Sequence, residues 1–322
     1  MLRRRAGRRV LRRGDEGPHA RRGFAVTDAL RVILLGTAAG PYPAPGRQGC
    51  ANAVVVGGRV YLVDAGYGTL GKYVSAGLSL RDLAAVFVTH LHSDHVAELF
   101  TLFLLGWGPA NQGVVDPVRV YGPGPDPTDP GPPAAGTAGL IAGNLAAFGQ
   151  DVAVRQRTSD RPRLAGLIHA ADVSVAGETV VHEDDRVRVT ARAVPHPPLH
   201  LALGYRFETE HGVVAFSGDT ARSDAVGELA AGADLLVHEA MEPDFYRSIG
   251  YPPKLLDFLS ASHTSPADVG RVAAAAGAKR VALSHLGPAD PARLDDEGWL
   301  RRVRPHYSGP VVVGHDLLDL TV

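Results

Sequence analysis

The chain has 322 residues, 45% of them hydrophobic and 21% charged, with a formal net charge of −1. That is enough apolar material for a large core in one or two domains, and the near-zero charge speaks neither for nor against a polyanionic partner. A single cysteine, Cys50, excludes an internal disulfide and a thiolate metal cluster and fits a reducing cytoplasm, and no apolar run reaches the roughly 18 residues of a membrane span.

Residues 1–25 stand apart. They are rich in arginine and poor in apolar side chains, the composition of a basic, disordered tail or of a start placed too far upstream. RRGF at 21–24 resembles the start of a twin-arginine export signal. The apolar segment such a signal needs would have to be 31–40, which is better used as a first strand. The expectation is therefore a cytoplasmic protein with one folded domain over 26–322.

From Leu30 onward the sequence alternates short apolar runs with Gly, Pro and Asp. LRVILLG (30–36), NAVVVG (52–57), RVYLVD (59–64) and AAVFVTH (84–90) read as Val-rich strands, with Gly57-Gly58 as a hairpin turn. Short helices are expected at 70–76 and 98–105. Residues 122–140 read as a Gly/Pro loop. Two extended pieces joined at Asp184-Asp185 follow over 178–194. Further strands are expected at 201–207, 212–219, 233–240, 279–285 and 310–316. Helices are expected at 223–232, at 265–277 with Ser265 as cap and Pro266 at the first position, and near 295–304. Hairpins first and strand–helix alternation later predict an α/β protein with two mixed sheets and helices outside.

Chemistry-bearing residues gather where these apolar runs end. Asp64, His90, His196, Asp219 and His285 each close or follow one. Strand ends along one sheet edge collect side chains that are distant in sequence. HLHSDH (90–95) adds His92, Asp94 and His95 in six positions. Imidazole and carboxylate suit Zn²⁺ and related metals, with Mn²⁺ and Fe²⁺ as alternatives. The motif can seed two adjacent metals, His90 with His92 and Asp94 with His95, with His196 and His285 completing them and Asp219 bridging. Two metals held this way lower the pKa of a shared water and clamp an ester oxygen. His200 competes with His196 for its place.

THLHSDH (89–95), with LVDAG (62–66) and SGDT (217–220), resembles the metallo-β-lactamase superfamily. LLGTAAGPYPAPGRQG (34–49), HPPLHLALGYRF (196–207), DLLVHEA (234–240), SHTSPADVGRVAAAAGAKRV (262–281) and SHLGP (284–288) are similar to its ribonuclease Z and arylsulfatase-like phosphodiesterase branch. The resemblance implies an αββα sandwich with two Zn²⁺, one on His90, His92 and His196, the other on Asp94, His95 and His285, bridged by Asp219. It implies ester hydrolysis by metal-bound hydroxide, with Asp94 as general base and His263 as proton donor to the leaving group. Asp64 is expected to fix the HLHSDH loop. His238 and Glu239 either orient His263 or close a strand. His92, in place of Glu, separates the chain from redox di-iron relatives. A homodimer is also implied.

Bacterial ribonuclease Z proteins carry an RNA-gripping arm between the histidine and aspartate that match His196 and Asp219. Here those residues are 219 − 196 = 23 positions apart, filled by two expected strands. A small phosphodiester, nucleotide-type ester or aryl sulfate is therefore preferred as substrate, with tRNA 3′ processing as the alternative. From another class, a non-catalytic metal-binding or regulatory protein would not need all seven ligands. His169, His182, His211, His306 and His315 are read as structural or surface residues, and Cys50, Phe103 and Trp107 as packed side chains.

Overall fold

A computed structural model describes residues 29–127 and 135–322. The expected basic tail and the RRGF segment lie outside the described residues. So does the middle of the Gly/Pro stretch.

The strands are β1 Arg31–Gly36, β2 Ala51–Val56, β3 Arg59–Val63, β4 Leu83–Phe87, β5 Val118–Pro123, β6 Ile168–Val173, β7 Thr179–Glu183, β8 Arg188–Val194, β9 Ala202–Thr209, β10 Gly212–Phe216, β11 Leu235–Met241, β12 Val281–Gly287, β13 Val311–Val313 and β14 Leu318–Thr321. The helices are α1 Thr69–Ser75, α2 Ser93–Val96, α3 Leu99–Gly106, α4 Thr137–Ala147, α5 Gly149–Thr158, α6 Asp224–Leu229, α7 Pro243–Ser248, α8 Pro253–Ser262, α9 Pro266–Ala276 and α10 Asp296–Val303. The expected loop over 122–140 is shorter than its composition suggests, because β5 runs to Pro123 and α4 starts at Thr137.

The strands form two mixed sheets, ordered β14-β1-β2-β3-β4-β5-β6 and β13-β12-β11-β10-β9-β8-β7. Antiparallel hairpins build one half of each and parallel strands the other. Three apolar layers hold the stack. Between the sheets, Phe87 meets Phe207 edge-on at 5.1 Å between ring centroids, and Phe207 meets Phe216 at 5.5 Å. Outside the first sheet, Tyr73, Leu99, Phe103 and Trp107 pack on Leu62 and Val86. Outside the second, Val269, Val272 and Trp299 pack on Leu236 and Leu283. The result is helix, sheet, sheet, helix, the αββα sandwich. β11 is buried at all seven positions, as a parallel strand covered on both faces must be.

Local signals act where expected. The Ser265 side chain accepts from Asp268 N, and Pro266 opens α9. Phe103 and Trp107 are core, 0% and 2% exposed. Among the described residues no helix is long and apolar enough to cross a membrane.

Candidate metal centre

The residues that converge come from both sheets and meet at one end of the sandwich. β4 runs into Val88, Thr89 and His90, and α2 then carries Asp94 and His95. His196 follows β8, Asp219 follows β10, and Glu239 and His285 sit within β11 and β12. Asp64 and His285 adopt positive φ, 62° and 43°, without being glycine. Such backbone costs about 1–3 kcal/mol per residue and persists where the surroundings dictate it. At His285 it coincides with a break in the β11–β12 register.

Two groups of three form. His90, His92 and His196 place one donor atom each within 4.8 Å of one another, and Asp94, His95 and His285 do the same. His90 Nε2 lies 2.9 Å from His92 Nδ1, and His196 Nε2 lies 3.2 Å from the same nitrogen. In the second group His285 Nε2 is 3.3 Å and His95 Nε2 is 3.8 Å from Asp94 Oδ2. Asp219 stands between the groups. Its Oδ2 is 3.8 Å from His90 Nε2 and 3.2 Å from His285 Nε2, and its Oδ1 is 3.4 Å from His95 Nε2.

The surroundings fix which ring nitrogen faces inward. His196 Nδ1 donates to the carbonyl of Ser262 at 2.7 Å. His95 Nδ1 donates to Asp64 Oδ2 at 2.8 Å. Asp64 also accepts from Thr89 N at 2.7 Å and from the Thr89 hydroxyl at 2.8 Å, so one carboxylate ties down both ends of the 89–95 loop. Gly40 N donates to Asp94 Oδ2 at 2.9 Å. A Cβ on Gly40 would sit 2.4 Å from that oxygen, which makes glycine necessary there. Gly218 has φ 60° and passes Leu203 O so closely that a Cβ would lie 2.6 Å from it.

The electrostatics suit cations. Burial would raise the Asp219 carboxyl, but His285, His95 and His90 hold it well below the usual carboxylate range. Burial lowers His90 well below its ordinary value and His196 to about 4. His95 is pushed the other way, because Asp219 and Asp64 outweigh its burial. The pocket thus brings an anionic carboxylate, Asp219, together with imidazoles that burial keeps neutral, His90 and His196, a donor set suited to a cation. Buried His95 Nε2 and Asp219 Oδ1 face each other at 3.4 Å across the centre as an ion pair without a well-formed hydrogen bond. A buried polar atom left without a hydrogen bond costs about 1–3 kcal/mol, and ligation by a metal is the natural relief. The N/O donor set fits two borderline divalent ions.

The doubtful pair separates. Glu239 accepts from His263 Nδ1 at 3.0 and 3.1 Å through its two oxygens and from Thr220 N at 2.9 Å. Burial alone would lower His263, but the Glu239 carboxylate raises it to about 9. His238 donates from Nδ1 to the Glu239 carbonyl at 2.7 Å and is buried. Neighbouring strand residues point to opposite faces, so only Glu239 looks into the site. His200 is 45% exposed and sits 3.6 Å from Asp126, outside the cluster. His169, His182, His211, His306 and His315 also stay outside it, each against a local partner. Cys50 is buried behind Asp64 and His95, and burial pushes its thiol well up. Gly40, Thr89, Thr220 and Ser262 lie within the quoted motifs and support the site through hydrogen bonds, roles that the sequence analysis did not assign to them.

Comparison with known proteins agrees with this geometry. The family model described as the metallo-beta-lactamase superfamily matches residues 46–285. A ribonuclease Z from Mycobacterium bovis (strain BCG / Pasteur 1173P2) is 33% identical over 296 residues, covering 89% of this chain and 96% of that protein. The structure of human tRNase Z, short form, superposes with a TM-score of 0.64 at 20% identity, over 91% of this chain and 99% of that one. The metallo-beta-lactamase fold protein YhfI from Bacillus subtilis gives 0.61 at 19% identity, over 92% and 100%.

Proposed function

Because this chain belongs to the metallo-β-lactamase superfamily and is a hydrolase of that type, we propose that it is a ribonuclease Z-like endonuclease that cleaves RNA phosphodiesters with two divalent metals. The observation that carries the reading is the 33% identity to a ribonuclease Z across 96% of that protein. It reverses the order of preference drawn from the missing arm. The interval between His196 and Asp219 is indeed filled by β9 and β10. But the alignment of 296 residues over 89% of this chain leaves that relative no room for a long arm either. Lack of the arm therefore does not separate this chain from proteins of that name.

In this reading His90, His92 and His196 would hold one metal and Asp94, His95 and His285 the other, with Asp219, which stands between the two groups, available to both. Bound there, Zn²⁺ (or Mn²⁺ or Fe²⁺) supplies Lewis acidity and makes water a nucleophile near neutral pH. The side chains do the rest. Asp94, its Oδ2 fixed by Gly40 N, accepts the proton of the attacking water. His263 lies at the rim of the site, 3.9 Å from Asp219, with Nδ1 held by Glu239. Its Nε2 is free to give a proton to the departing oxygen. The proposal extends to one domain over 26–322, in the cytoplasm, working as a homodimer. A continuous three-layer core and a lone cysteine support the first two. The dimer rests on the family resemblance alone.

The test is cleavage of a 3′-extended transfer RNA precursor by Zn²⁺- or Mn²⁺-loaded protein, with Asp219→Ala as blank. Release of the 3′ extension above the blank is expected. Intact RNA alongside turnover of methyl 4-nitrophenyl phosphate would overturn the RNA reading. It would favour the second one, a small phosphodiester or aryl sulfate.

A further inference from the structure

A groove of about 660 Å³ opens directly over the metal centre, and His92, Asp94, Asp219, His263 and His285 form its inner end. Its outer part is of a different nature. One wall is the Pro-rich loop carrying Tyr42, and the other is the α7–α8 hairpin with Phe245, Tyr246, Tyr251, Leu255 and Phe258. Tyr42 is 85% exposed, and Tyr251, Leu255 and Phe258 are each more than one-third exposed.

A helix normally holds its place by burying an apolar face. α8 has four large apolar side chains, Leu255, Leu256, Phe258 and Leu259, yet Ser262 is its only buried residue. α7 buries none. The apolar face of the hairpin is turned to the groove rather than to the core. A concentration of exposed aromatic side chains beside a catalytic centre marks a binding surface. The rings are already grouped, with centroids 5.2 Å apart for Phe245 and Tyr246 and 5.0 Å for Tyr246 and Tyr251.

Charge narrows the occupant. Among the described residues Arg293 is the one arginine or lysine lining the groove, and it lies 3.7 Å from Asp290. Arg247 and Arg222, nearby, are engaged by Asp244 and Asp268. A duplex gripped through its phosphates needs a row of cations, and the groove has none. A flat apolar ring needs only faces to stack on, and stacking tolerates any base.

We propose that the α7–α8 hairpin and the Tyr42 loop form an aromatic subsite that takes a flat ring attached next to the scissile phosphoester, an unpaired nucleobase in an RNA substrate. The inference rests on the phosphoester reading of the metal centre. It deepens that reading by naming the side chains that would receive the ring: Tyr42 on one wall and Tyr246, Tyr251, Leu255 and Phe258 on the other.

Calorimetric titration of the Zn²⁺-loaded protein with thymidine 5′-monophosphate, phenyl phosphate and methyl phosphate tests it. All three bring the same anion, and only the first two bring a ring. The expected result is that thymidine monophosphate binds about tenfold tighter than methyl phosphate. The double variant Leu255→Ala/Phe258→Ala should reduce that advantage below about threefold, with methyl phosphate affinity unchanged. Tyr42→Ala, on the opposite wall and in a different element, should reduce it independently and so guards against a collapsed α8. Phenyl phosphate matching thymidine monophosphate would support the same subsite with a small aryl ester as its source; phenyl phosphate matching methyl phosphate would point to the nucleobase. Equal affinities of all three for the unaltered protein, or equal losses for all three in the variants, would overturn the subsite. Because binding is read directly, a protein that hydrolyses no phosphodiester yet prefers the ringed ligands would refute the proposed function and not the subsite.

Discussion

His95 donates from Nδ1 to Asp64 Oδ2 at 2.8 Å, and both side chains are buried. The bond fixes the tautomer of His95 and sends Nε2 toward Asp94 and Asp219. Asp64 holds this position only with φ at 62°, so backbone strain at the end of β3 is stored to orient a ring at the start of α2. Three expectations follow from how the centre is assembled, and a fourth from a turn outside it.

Asp219 stands within 4.0 Å of histidines of both groups, so Asp219→Ala should damage both at once. Metal content, read by elemental analysis after dialysis, should fall from about two per chain to below one. Turnover should fall to background. Full activity with two metals retained would refute the bridging role.

His196 and His200 compete for one role in the sequence, and their surroundings separate them. His196 is buried and locked by Ser262 O, whereas His200 is exposed. His196→Ala should release about one metal per chain. His200→Ala should keep both, with kcat within about threefold of the parent.

Glu239 makes its closest histidine contact with His263, at 3.0 and 3.1 Å, and lies 4.0 Å from His285 Nδ1, on the side of the ring away from Asp94. Removing a carboxylate that orients a working histidine typically costs about 10–100-fold. Glu239→Gln should lower kcat by that order while metal content stays near two. Because the two residues act as a unit, Glu239→Gln/His263→Ala should be no slower than His263→Ala alone. A multiplicative loss in the double variant would mean that Glu239 works by another route.

Asp184, in the turn between β7 and β8, gives a prediction free of the metals. Burial would raise its carboxyl, but the Tyr61 hydroxyl at 2.7 Å and the backbone N–H groups of Arg186 and Val187 outweigh burial and lower it. A folded-state value below the unfolded one adds stability above the ordinary carboxylate pKa of about 3.9, and that stability is lost as pH falls through the lower folded value. Asp184→Asn should therefore lower the denaturant midpoint at pH 7. The gap between variant and parent should close as the pH falls below about 4. A gap that widens on acidification would reverse the sign of the argument.

How much of this was legible in the sequence follows from what leaves a periodic mark. Strands such as β2 and β11 are continuous apolar runs because they are covered, and their burial writes itself into the residues. The HLHSDH cluster was legible for the opposite reason, since six positions that dense in metal-binding types serve no packing purpose. The helices α4, α5, α7 and α8 were not read. α5 and α7 bury no residue, α8 only Ser262 and α4 only Thr137 and Ile141, so none of them presents a broad buried stripe toward a core. β6, half exposed at a sheet edge, was missed similarly. The choice between His196 and His200 could not be made by spacing, because it is the reach of Ser262 O, 66 positions on, that selects His196.

The centre lies on the seam between the sheets, and that placement makes it a reporter of completed folding. His90, His92, Asp94 and His95 arrive with the first sheet, and His196, Asp219 and His285 with the second. Asp94 and His285, which meet at 3.3 Å, are 191 positions apart. A chain that has assembled only β1 to β6 owns four of the seven donors and neither complete triad. A high-affinity site thus comes into being only after the last long-range pairing, the slow kind of contact for a chain to find. Once loaded, each ion would clasp the two layers and draw the folding equilibrium toward the finished sandwich. Hydrolytic power would then be withheld from half-made molecules by geometry alone.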